Sequence, residues 1–137
     1  MKKSALAILG VFVAWSVMDF VIHGMILQSS YAATASLWRP MGEMKMSLMY
    51  ITVFFPAVAF VLIYSLFFSR KGISTGLQYG LLFGLSMGLP MGYGTYSVMP
   101  IPYFMAFTWC FGSIIEAMVA GLIVGSIMRE ESRLTKG

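Results

Sequence analysis

Residues 6–27, 47–68 and 103–128 contain no charged side chain except Asp19 and Glu116. Each run exceeds the ~20 residues that an α-helix needs to cross about 30 Å of hydrocarbon. A fourth run, 73–99, carries no charge and is crowded with glycine, which is commoner in membrane helices than in soluble ones. The chain is 59% hydrophobic and 10% charged, against roughly a quarter charged in a soluble domain, so a water-soluble fold of this length has nowhere to hide its apolar surface. The expectation is an all-α membrane protein of one domain, 1–137. Its four transmembrane helices form an antiparallel bundle in the lipid bilayer, with spans at 6–27, 47–68, 73–99 and 103–128.

The net charge of +4 is informative through its placement. Lys2, Lys3, Arg70, Lys71, Arg129, Arg133 and Lys136 fall on one side of a four-span chain, whereas Arg39 and Lys45 fall on the other. The positive-inside bias then puts both termini in the cytoplasm. These basic residues read as topology signals, and no nucleic-acid partner is expected. The first run is preceded by two lysines, and Ala33-Thr34-Ala35 imitates a signal-peptide cleavage site. Its apolar stretch is too long for a signal and is interrupted by Asp19 and His23, so it is expected to remain as the first span.

The first outer loop, 28–46, holds Tyr31, Trp38 and Pro40 among alanines. Aromatic rings suit headgroup depth, which predicts a short amphipathic helix lying at the outer interface. Trp38, Arg39 and Glu43 border that interface, with Arg39 expected to pair with Glu43. Pro56 and Pro90 sit inside the second and third runs, where proline removes a backbone hydrogen bond and bends a helix.

In the third run, Gly72, Gly76, Gly80, Gly84, Gly88 and Gly92 recur at every fourth position and form one stripe of a helix. The fourth run answers with Ser113, Ala117, Gly121 and Gly125 at the same spacing. Lipid supplies no hydrophobic drive for helices to associate, so close backbone approach along small residues must do it. These two helices are expected to pack together, although the stripe equally suits a helix from another subunit or a second copy.

Candidate chemistry is concentrated in Asp19, His23 and Glu116. An ionisable group in hydrocarbon costs roughly 2.5–3.5 kcal/mol on insertion scales, so each should face protein or water and find a partner. Asp19 and His23 are four apart and share a helix face. Two readings stand side by side: the three residues hydrogen-bond to one another or to neighbouring helices and fix helix register, or they form a proton or cation pathway, since carboxylates and histidine at membrane depth are the usual parts of relays and ion sites. Thioether sulfur with imidazole suits Cu(I), and His23, Met25, Met41 and Met44 are the residues a copper site would draw on. No other cofactor is expected. One histidine and one cysteine are too few for a bis-histidine haem, a structural zinc or an iron-sulfur centre, and Cys110 has no partner for an intrachain disulfide. Neither a phosphate loop nor a nucleophile with an orienting group is evident, so enzyme activity is not expected.

The segment Asp19-Phe20-Val21-Ile22-His23-Gly24, the outer Trp38-Arg39-Pro40 and the glycine-rich third helix give the chain an outline that resembles small four-helix bacterial membrane proteins of unknown function. The resemblance implies a prokaryotic inner-membrane location and transfers no active-site residues. Two functional expectations lead. One is a non-enzymatic accessory subunit that packs into a larger membrane complex. The other is a small proton- or ion-coupled transporter or channel component using Asp19, His23 and Glu116.

Overall fold

Apolar runs without competing polar side chains satisfy their backbone groups internally, and in this chain they do so as helices. The structure, a computed structural model, describes residues 2–129; Arg133 and Lys136 of the charge pattern lie outside them. Helix α1 covers Lys2–Val21 and continues into a π-turn, Ile22–Ile26; α2 covers Gln28–Ala33. After two 3₁₀ turns, Ala35–Leu37 and Met41–Glu43, α3 covers Met46–Phe67. Helix α4, Ile73–Leu89, runs through a second π-turn, Pro90–Gly94, into α5, Thr95–Val98, and α6 covers Tyr103–Ile127. No strand occurs among the described residues.

Three of these helices, Lys2–Ile26, Met46–Phe67 and Tyr103–Ile127, are long and apolar enough to cross a membrane. Their outward faces match that solvent. Phe20, Phe55, Leu66 and Phe111 are among many large apolar side chains left exposed by the fold. Helix α4 has 17 residues, about 26 Å at 1.5 Å per residue, and reaches further only through its π-turn and α5.

The two prolines behave differently. Helix α3 remains helical on both sides of Pro56. Pro90 stands where α4 widens into a π-turn, a local loosening that accommodates the missing N–H. The loop after α1 contains a short helix, α2, built from Gln28–Ala33.

Packing is led by α4 on α6. A Cβ at Gly76 would overlap the carbonyl oxygen of Gly121, at Gly80 that of Ala117, at Gly88 that of Cys110 and at Gly92 that of Ala106. At Gly84 it would meet the Cα of Ile114, and at Gly125 the carbonyl oxygen of Gly72. As one set of numbers rises the other falls, so the two helices run in opposite directions with their backbones in contact. From Gly76 to Gly92 the glycine stripe is therefore covered by α6 of the same chain, while nothing lies within 4 Å of a Cβ at Gly72.

Helix α1 packs on both α6 and α3. Ala7, Val11 and Trp15, four residues apart, bury one stripe of α1 in a core with Phe60, Val61 and Tyr64 of α3 and Ala120 and Val124 of α6. Tyr79 of α4 joins α3 to this core, its hydroxyl donating to the carbonyl of Phe60 at 3.0 Å while its ring lies 4.4 Å from that of Phe60. A second cluster, Leu27, Ile101, Met105, Ala106 and Trp109, packs against Tyr31, Leu37 and Trp38 of the loop after α1.

Candidate functional site: a polar cavity between α1 and α6

Asp19 and His23 leave α1 one turn apart, with His23 already inside the π-turn. The wider turn, closed by the Leu27 N–H to the Ile22 carbonyl at 2.9 Å, inserts one residue into the helical register. Glu116 approaches from the middle of α6. All three line a single cavity of about 130 Å³, together with Ile22, Met91, Thr108, Trp109, Gly112 and Ser113. That volume has room for on the order of four waters at ~30 Å³ each, and drug-sized pockets begin at roughly 300 Å³.

Small residues allow the helices to meet here. A Cβ at Gly112 would fall 2.9 Å from the Ile22 Cδ1, so glycine lets the π-turn seat against α6. One turn deeper, the Trp15 indole Nε1 donates to the backbone carbonyl of Glu116 at 2.8 Å, fixing α1 against α6.

The polar groups form an ordered sequence. Trp109 Nε1 donates to the Tyr31 hydroxyl at 3.2 Å, and that hydroxyl lies 2.6 Å from His23 Nδ1. His23 Nε2 is 3.7 Å from Asp19 Oδ1, with the two side chains 38% and 36% exposed. Burial pushes the Tyr31 hydroxyl above its ordinary range; the Trp109 hydrogen bond opposes this and the Asp19 charge adds to it. Tyr31 thus stays protonated and neutral at neutral pH. Beyond Asp19 sits Glu116, whose carboxyl group lies within side-chain hydrogen-bonding reach of Asp19; its Oε1 is buried with no partner of good hydrogen-bond geometry among the described residues, and Ser16 Oγ is in the same condition. An unpaired buried carboxyl oxygen is costly and draws a proton, a water or a cation to itself.

No protein-family model, curated protein or solved structure matches this chain. The functional reading accordingly stands on the site's own chemistry.

Asp19, His23 and Glu116, singled out as isolated intramembrane polar residues, are brought together. Tyr31 and Trp109 were not singled out as site residues. Their link spans 78 positions, and no spacing in the sequence connects a loop tyrosine to a tryptophan of the last helix. The signal that could have found them is chemical: buried indole and phenol groups seek hydrogen-bond partners.

The other candidates lie elsewhere. Trp38 packs edge-on against Tyr31 and Trp109 and donates to Thr34 Oγ1 at 2.8 Å. Arg39 and Glu43 are exposed, and no ion pair joins them. Met25 and Met41 are 62% and 84% exposed, and Met44 is also on the surface. None of these methionines lines the cavity, and His23 Nδ1 is engaged by Tyr31.

Proposed function

We propose that this chain is a four-span membrane protein whose cavity between α1 and α6 holds and exchanges protons or a small cation, as a component of a proton- or ion-coupled transporter or channel. The observation that carries this reading is the convergence of Asp19, His23 and Glu116 on one cavity with a buried Glu116 oxygen. Carboxylates and imidazole supply the exchangeable groups, and the cavity is half-open, so water and small ions can reach them.

In the full topology, α4, its π-turn and α5 together form the third of four spans. The fold is an antiparallel bundle, α2 and the outer loop lie at the outer interface, and the termini are cytoplasmic in a bacterial inner membrane. The charge pattern supports this orientation.

The accessory-subunit expectation rests on the glycine face, the near absence of extramembrane segments and the shortage of catalytic groups; the last two grounds stand beside the transport reading. With α6 on that face, an accessory role would have to use one of the lipid-facing surfaces, for which no residue pattern argues. Four helices of this length enclose no continuous path of their own, so movement across the bilayer requires a second copy or a partner to complete the route.

The test is a flux measurement. Protein reconstituted into vesicles with an internal pH-sensitive dye should pass protons or exchange them for small cations, and Asp19→Asn and Glu116→Gln should each reduce the rate. An active wild type whose rate neither variant changes removes these residues from the mechanism. Vesicles made from the wild type together with whatever copurifies with it in mild detergent, if as tight as protein-free ones to protons and to monovalent and divalent cations, would remove the reading.

A further inference from the structure

The loop helix α2 reaches the polar site from behind His23, through the Tyr31 hydroxyl 2.6 Å from Nδ1. We infer that Tyr31 is a positioning residue for the site: its hydroxyl, oriented by Trp109, fixes His23 in the tautomer that carries its hydrogen on Nε2 and directs it toward Asp19. This deepens the proton or cation reading and takes its functional meaning from it, while its geometry stands alone.

Donor and acceptor capacity orders the hydrogens along this chain of contacts. An indole Nε1 can only donate, so in the 3.2 Å contact between Trp109 and Tyr31 the phenol oxygen accepts. The phenol oxygen has a second lone pair and could accept from an Nδ1–H as well, but its own hydrogen would then have no acceptor among the described residues; His23 Nδ1, 2.6 Å away, supplies that acceptor. A neutral imidazole has one accepting and one donating nitrogen. With Nδ1 accepting from Tyr31, the hydrogen resides on Nε2, which is the nitrogen 3.7 Å from Asp19 Oδ1. A histidine whose second nitrogen is held in this way presents a defined partner to the site.

The consequence is directional. Exchange between His23 and the cavity passes through Nε2, and α2 becomes part of the site instead of a connector. The groups that face His23 are Asp19 from its own helix, Tyr31 from α2, and Glu116, Thr108 and Ser113 from α6 across the cavity.

His23 is the sole histidine in the chain, so ¹⁵N-histidine labelling of the full-length protein in bilayers reports this ring alone. In mildly alkaline buffer the wild type should show one neutral species, with Nε2 protonated and Nδ1 hydrogen-bonded as an acceptor. Tyr31→Phe should add a second set of signals of comparable intensity from the Nδ1-protonated tautomer, and Trp109→Phe should broaden or split the wild-type set. A wild-type ring protonated on Nδ1, or a Tyr31→Phe spectrum that superimposes on the wild type, overturns the inference. The wild-type spectrum decides even if a variant fails to fold. A fixed tautomer in a protein that carries no flux would leave this assignment intact and remove only the transport reading.

Discussion

Gly80 on α4 lies so close to Ala117 on α6 that a Cβ on the first would overlap the backbone carbonyl oxygen of the second. Neither group is the flexible end of a side chain, so relief requires the helices to separate.

Gly76→Ala and Gly80→Ala are each expected to destabilise the folded protein by about 1–3 kcal/mol, the usual cost of overpacking. Gly42→Ala, where nothing lies within 4 Å of the added methyl, should change stability by no more than about 0.5 kcal/mol. Unfolding by a denaturing detergent in mixed micelles measures the difference. Equal losses at all three positions would mean that the α4–α6 contact is looser than described.

Much of this contact was legible in the sequence because a four-residue repeat of glycine has one geometric meaning on a helix. The same is true of Asp19 and His23, whose spacing alone puts them on one face. The small-residue stripe of α6 announces the face that meets α4, but not that α1 packs beside it and brings Asp19 and His23 to Glu116. The π-turn at Ile22–Ile26 and the contribution of Tyr31 were not legible either, because both follow from tertiary contacts and not from any local pattern.

Tyr64 ties the α3–α4 link together from inside the core. Its hydroxyl donates to the Gly72 carbonyl at 3.0 Å and accepts from the Gly72 N–H at 2.9 Å, while the side chain is fully buried. Tyr64→Phe removes both bonds and leaves a donor unpaired, a loss of about 1–3 kcal/mol. Limited trypsin digestion should then cut faster after Arg70 and Lys71, which lie in the same link. An unchanged cleavage rate would show that other contacts hold it.

The cavity wall should be reachable from water even where the neighbouring helix surface is not. Ser113 lines the cavity, whereas Cys110, one turn earlier on α6, is 2% exposed. In a Cys110→Ser background, Ser113→Cys is expected to react with a small membrane-impermeant thiol reagent in vesicles, while the native Cys110 stays unmodified. Protection of both positions would describe a sealed cavity and would remove the route by which a proton or cation enters.

In the proposed function Glu116, with Oε1 buried, exchanges its proton or counter-ion with bulk water through the Asp19–His23 cavity. Infrared difference spectroscopy across a pH step, comparing wild type with Glu116→Gln, isolates the carboxyl band of that residue. A band that shifts in deuterated water, responds to bulk pH and vanishes in the variant is the expected result. A Glu116 band indifferent to both solvent isotope and pH, throughout the range in which the protein stays folded, would contradict the account.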